Sequence, residues 1–302
     1  MGEGLSLSEA FMRHEARTGL FFISPGVIFF VVFWITPVIL AIFYGFTDWN
    51  VGKAPHWIGF KNYQQLFTDP LLRQSLIAST KITVISVTGT FFVSLGLAYL
   101  LNVENLVGGR LIRLLIILPF VADWVATGLV WQLIFLPNGG VLAGVFSWLG
   151  LYDWMSLRWT SSTSLAPWAI SIFIIWKTSG FYTIIFLAGL KGIPIQYLEA
   201  AEVDGANAWQ SFWTVTMPLL KPITVFVLMI TFVSTIGLFE PVYMLTGGGP
   251  ADATRVLPIF LYENFFQFHH GGYASAAGIL FLLLCLGFAL LAARLLQYSY
   301  YE

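Results

Sequence analysis

The chain has 302 residues, 58% of them apolar and only 10% charged, with a formal net charge of −1 and a mean hydropathy of +0.82. Soluble domains carry about 25% charged residues, so this sequence lacks the polar surface that a water-soluble globule of its size needs. The absence of a basic tract speaks against nucleic acid as a partner, and the single Cys285 excludes a disulfide framework or a Cys-based metal site. What remains is an all-α, polytopic membrane protein whose surroundings are membrane lipid.

Residues 1–19 are polar and read as a separate N-terminal segment. Ser6 and Glu9 have capping-box spacing, so a short helix is expected there, with Arg13 and Arg17 just ahead of the first apolar run. That run, Leu20–Phe46, has no charge and is too long for the core of a signal peptide, so it reads as a retained span. Five further runs reach the roughly 20 residues a helix needs to cross a bilayer. They lie near Ile77–Leu101, Leu114–Leu136, Pro167–Leu190, Pro222–Thr246 and Tyr273–Ala293.

Six spans place both termini on one side. That side would hold Arg13, Arg17, Arg110, Arg113, Lys191, Lys221 and Arg294, against Lys53, Lys61, Arg73, Arg158 and Arg255 on the other. The excess is a weak positive-inside signal. The opposite-side segments are 47–76, with the aromatic-rich WIGFKNYQQLF, 137–166, with the short apolar VLAGVFSWLGL of an interfacial helix, and 247–272, opening on the turn signal GGGP.

Between the fourth and fifth spans runs EAAEVDGANAWQSFWTVTMP, residues 199–218. Glu199, Glu202 and Asp204 suit the N-terminal turn of a helix, where the dipole favours negative charge. Gly205 permits a sharp redirection or a close backbone approach. Trp209, Phe212, Trp213 and Val215 recur at roughly helical spacing, and Pro218 with Pro222 is expected to stop that second helix. The segment therefore reads as a helix, a bend and a helix outside the membrane, with one apolar face free to dock.

This stretch resembles the cytoplasmic coupling signature of binding-protein-dependent ABC importer permeases: EAA, three residues, Gly, nine residues, then Ile-x-Leu-Pro. Glu199, Ala200, Ala201 and Gly205 match and Pro218 closes the pattern, while Val215 and Met217 replace Ile and Leu. WIGFKNYQQLF and LTGGGP resemble the sugar-importer branch of the same family. The resemblance implies a permease domain over 20–302 with a cytoplasmic coupling loop at 191–221, in a bacterial plasma membrane with both termini cytoplasmic. It further implies a second, different permease subunit, two ATP-binding subunits and an extracytoplasmic solute-binding protein. In that reading the partner ATPase binds ATP and Mg, the chain itself holds no cofactor, and Glu199, Ala200, Ala201, Asp204, Gly205 and Pro218 form the coupling site.

The sequence carries no GxxxxGK[ST] and no HExxH, so neither a phosphate-cradling loop nor that zinc motif is present, and no enzyme is expected. His269 and His270 are adjacent and would not share a helix face. Lys81, Asp123, Lys177 and Glu240 fall in apolar runs, where each charge costs about 2.5–3.5 kcal/mol on insertion scales and should pair or line water. The candidate pairs are Lys177 with Glu240 and Lys81 with Asp123. WKTSGF in the fourth span gathers Trp176, Lys177, Thr178, Ser179 and Phe181 around Gly180, which permits a bend; Thr231, Ser234 and Thr235 offer hydroxyls in the fifth. Hydroxyls and rings are what a sugar requires. Trp176, Lys177, Thr178, Ser179, Phe181, Thr231, Ser234 and Glu240 are therefore the candidate substrate pathway, with helix packing as the competing role for the small residues. Pro119 and Pro241 are expected to mark kinks. Lys177 leaves room for a phosphorylated polyol as solute. The alternative function is an ion-coupled secondary transporter using Asp123 or Glu240.

Overall fold

The computed structural model describes the backbone of residues 7–103 and 107–298, and the side chains of 18–19, 21–103, 107–290 and 294. Ser6 lies outside the described residues, and Glu9, Arg13 and Arg17 outside the described side chains. Over the described residues the α-helices follow in order: α1 Leu7–Phe30, α2 Thr36–Gly45, α3 Lys61–Thr68, α4 Pro70–Leu101, α5 Gly109–Val121, α6 Trp124–Ile134, α7 Val141–Trp148, α8 Tyr152–Met155, α9 Ala166–Lys191, α10 Ile195–Val203, α11 Ala208–Ser211, α12 Met217–Ile236, α13 Glu240–Leu245, α14 Leu257–Tyr262 and α15 Gly271–Tyr298. Among the described residues the only extended pairing is an isolated bridge, Thr47 to Trp57. The all-α class therefore holds.

Five helical stretches among the described residues are long and apolar enough to cross a membrane: Phe21–Gly45, Pro70–Leu101, Ala166–Lys191, Ala208–Ile236 and Gly271–Leu290. The third expected span is different. It breaks between α5 and α6 into two arms bent by 101°, and counts as a sixth crossing only if the two are taken together. The fifth also differs from expectation. It begins at Ala208 and ends at Ile236, so Glu240 and Pro241 lie beyond it, in the first turn of α13, where an acid suits the helix dipole and a proline lacks only an amide the helix would not use.

Pro218 and Pro222 do not stop a helix. Ahead of Pro218 the ladder widens over Phe212–Thr216, where the Met217 N–H donates to Phe212 O. The same device precedes Pro37, where the Thr36 N–H donates to Val31 O across Val31–Ile35. A widened turn absorbs the missing proline donor and lets the chain remain helical.

The chain forms two compact units, Met1–Leu66 with Asn264–Leu280, and Phe67–Glu263 with Phe281–Glu302. In the first, Phe46 packs on Trp57, Phe60 and Tyr63, and buried Asn62 donates to Gly45 O and Thr47 O at 2.9 and 2.8 Å. The WIGFKNYQQLF stretch is thus a built corner. In the second unit, α4 and α9 pack closely along their lengths. Ser75, Ser79, Thr83, Ser86, Thr90 and Ser94 form a buried stripe along α4, and these small groups let two backbones approach. Two apolar clusters flank that seam, one around Phe173 and Ile174 and one around Phe186 and Leu220.

Candidate functional site

After α9 the chain turns through Gly192 and Pro194 into α10. Glu199 sits at the middle of α10, Glu202 in its last turn and Asp204 is its C-cap, all three exposed. None of them is in an N-terminal turn, as the sequence leads one to expect, and Glu202 and Asp204 lie at the negative end of the dipole. The Gly205 N–H donates to Glu202 O and the Ala206 N–H to Ala201 O, with Gly205 at φ +82°. That double closure ends a helix through a left-handed residue, which explains the glycine four places after the alanine pair. A Cβ at Gly205 would meet no atom of this chain within 4 Å, so within the chain the requirement is conformational.

Two residues later Asn207 caps α11. Its Oδ1 accepts the Gln210 amide at 2.9 Å, and its own N–H donates to Gln210 Oε1 at 2.8 Å. Trp209 is 69% exposed and Trp213 50%, while Phe212 turns inward onto Tyr99 with ring centroids 5.6 Å apart. A cleft of about 360 Å³, lined in part by Tyr99, Asn102, Leu190, Leu198 and Phe212, lies between this segment and the ends of α4 and α9. The result is a stiff, two-helix projection with acids and indoles outward.

The WKTSGF stretch does something else. α9 runs as one continuous helix through Gly180, with no break there. A Cβ at Gly180 would sit 1.8 Å from Ile116 O, which makes it the point where the α5 backbone touches α9. One turn earlier Lys177, 1% exposed, donates to Pro119 O at 2.9 Å and to Ala122 O at 2.5 Å. Its Nζ lies 4.7 Å from the centre of the Trp124 ring. Phe181 stacks on Phe120 at 4.4 Å, and Trp176 packs on Trp131 at 5.4 Å. Two further contacts run to α4: Thr178 Oγ1 is 3.3 Å from Thr90 Oγ1, and Ser94 Oγ donates to the backbone carbonyl of Ser179.

Neither expected ion pair forms. Lys177 is held by carbonyls, and the acid whose field it feels is Asp123, not Glu240. Asp123 instead caps α6, accepting the Val125 and Ala126 amides at 2.9 and 3.0 Å. Lys81 is exposed on α4, beside a cleft it shares with Arg73 and Asp252. Pro119 lies in the last turn of α5, just before the break. On α12, Thr231 is buried and donates to Val227 O, Thr235 is buried, and Ser234 is exposed. His269 and His270 are exposed, and no cluster of three metal-binding side chains occurs among the described residues.

Residues 91–297 match the family described as binding-protein-dependent transport system inner membrane component. The chain is 33% identical over 264 residues to the sulfoquinovosyl glycerol transport system permease protein SmoG of Agrobacterium fabrum, covering 87% of this chain and 84% of that one. The chain belongs to this permease family. It is also 29% identical over 287 residues to the trehalose/maltose transport system permease protein MalF of Thermococcus litoralis, covering 94% and 95%. In fold it is similar to a chain of a bacterial ABC transporter that imports the acidic polysaccharide alginate, with a TM-score of 0.81 at 23% identity over 96% of this chain and 99% of that one. This permease is thus a multi-pass component of the inner membrane, and the ion-coupled alternative falls away.

Two features of the permease escape the sequence reading. The hydroxyl stripe of α4 is hidden inside an apolar run, although Ser75, Ser79, Thr83, Ser86, Thr90 and Ser94 recur every three or four residues and can be found by that period. The Asn207–Gln210 capping box is masked by the apolar face that follows it; N-x-x-Q ahead of an aromatic run is its signature.

Proposed function

We propose that this chain is one of two transmembrane permease subunits of an ATP-driven sugar importer, forming half of an alternating-access pathway. A different permease subunit supplies the other half, an extracytoplasmic solute-binding protein delivers the solute, and two ATP-binding subunits hold ATP and Mg. The chain performs no chemistry of its own. Both termini and the loop at 191–221 face the cytoplasm, and Glu199, Ala200, Ala201, Asp204, Gly205 and Pro218 form the seat for the ATPase.

The observation that carries this reading is the form of α10–α11. Acids in the last turn of a helix, as Glu202 and Asp204 are, oppose the dipole at a cost of about 0.3–1 kcal/mol each. Glu199, Glu202 and Asp204 are exposed there with no ion pair among the described residues, next to two exposed indoles. Such a surface suits a partner with cations and an apolar recess. The sugar class is supported by the solutes named for the two relatives. Of the eight pathway candidates, Trp176, Ser234 and Glu240 are exposed, Thr178 and Phe181 are half-buried, and Lys177, Ser179 and Thr231 are buried. Lys177 spends its ammonium on carbonyls, so it supplies no reason to favour a phosphorylated polyol.

The test uses the assembled transporter in proteoliposomes with its binding protein outside and ATP within. Wild type should accumulate a sugar only with ATP. Glu199→Lys should still capture the loaded binding protein yet hydrolyse ATP without uptake. Uptake at the wild-type rate in that variant would remove the coupling role. Ser234→Leu should alter solute stimulation of ATP hydrolysis, and unchanged stimulation would take Ser234 out of the pathway.

A further inference from the structure

The corner between α5 and α6 is where a membrane span stops being a single helix. The last carbonyls of α5 lose their intrahelical donors there, and the first amides of α6 lose their acceptors. Each side is completed by a charge of the right sign. Asp123 caps the amides of α6 from within the corner, whereas the carbonyls of Pro119 and Ala122 are capped from outside it, by Lys177 on α9. A buried cation otherwise unpaired would be costly; here two carbonyls and the Trp124 face replace its water. One turn along, Gly180 brings the α5 backbone against α9, so the arm N-terminal to the corner is fixed at two successive points.

We propose that Lys177 is a positioning residue for transport, holding the α5–α6 corner at its bend so that the broken span moves as a fixed angle. The inference rests on the permease reading given above, and extends it to a residue that does not touch solute. Without Lys177, the carbonyls of half-buried Pro119 and exposed Ala122 lose the ammonium that caps them inside an apolar span, and the corner relieves them by straightening toward a continuous helix or by opening to water. Either change spoils the geometry of the pathway wall but leaves the binding protein's docking surface alone. The conversion rate should fall, not the affinity for the loaded binding protein.

Two readouts test this on the assembled transporter, with Cys285 replaced by Ala and spin labels at Leu118 and Val130, exposed positions on the two arms. In a straight helix these positions would lie about 18 Å apart along the axis; a right-angled corner brings them closer. Wild type should give one narrow distance. Lys177→Met should broaden or lengthen it, and should lower maximal uptake about tenfold with the half-saturating concentration of binding protein unchanged. Lys177→Gln keeps an N–H for the carbonyls and should retain the narrow distance and most of the uptake. If Lys177→Met does not assemble, the Gln variant decides. A broadened distance in it would overturn the proposal. So would wild-type distance and uptake in the Met variant, or a change in one readout without the other. If wild-type transporter takes up no sugar, the permease reading fails for this solute class, while the label distance still decides the role of Lys177 at the corner.

Discussion

Along α9 and its continuation, polar residues are spent in two opposite ways. In the segment 195–211 Glu199, Glu202 and Asp204 face outward with no ion pair among the described residues, and the backbone that carries them is closed locally by Gly205 and by Asn207 with Gln210. In the middle of α9, the Lys177 ammonium, the Thr178 hydroxyl and the backbone carbonyl of Ser179 each meet a group 55 to 88 residues away: Ala122 O, Thr90 Oγ1 and Ser94 Oγ. The first region is finished by near neighbours and leaves its charges exposed at the surface. The second is finished by distant parts of the same chain and has little left to offer outside. The difference teaches that a polar residue in an apolar run is a functional candidate only once its internal partners have been counted.

Gly180→Ala should break the inward region most severely. The added Cβ would fall on Ile116 O, a backbone atom that cannot swing away, so α5 must leave α9. Overpacking at such a contact costs about 3 kcal/mol or more, and the loss of monodisperse protein in detergent, or a lowered Tm, would measure it. The corresponding change on the outward side, Glu199→Lys, should abolish uptake yet shift stability by no more than about 0.5 kcal/mol, since Glu199 is exposed. A Tm that dropped with Glu199→Lys and held with Gly180→Ala would invert the contrast.

Gly205→Ala lies between these two extremes. Its φ of +82° disfavours any Cβ by about 1–2 kcal/mol, although space is open around it. Hydrogen exchange should accelerate across α10 and uptake should fall, while Gly205→Asn, which tolerates the left-handed region better, should do less harm. Equal damage from Ala and Asn would mean that a missing contact, and not the turn, is what Gly205 supplies.

How far each region can be read from sequence follows from the same contrast. The helix, left-handed stop and second helix at 195–211 are written in contiguous letters, so their order is legible, and only the direction of the dipole under the acids is misjudged. The prolines mislead because a proline announces a missing donor but not the widened turn that absorbs it, as at Phe212–Thr216. The grip on the broken span is illegible for a different reason. WKTSGF shows an ammonium, hydroxyls, a glycine and rings, a set that fits a sugar as well as it fits a neighbouring helix. Nothing in the letters says that Ile116, Pro119 and Ala122 come to meet it.

Ser94→Ala should produce the smallest effect and makes the finest distinction. Ser94 is fully buried and its hydroxyl donates to Ser179 O at 3.0 Å, in a seam where the carbonyl is already used by Thr183 Oγ1 at 2.8 Å. Removing one of two donors leaves the acceptor partnered, and hydrogen bonds between membrane helices average about 0.6 kcal/mol. Stability should therefore drop by about that amount, with solute-stimulated ATP hydrolysis unchanged. A stripe that packs helices predicts that outcome at Ser94 and at its neighbour Thr90 alike. If Ser94→Ala instead kept its Tm and altered the stimulation, the seam between α4 and α9 would carry solute, and the inward region would have to be counted with the outward one.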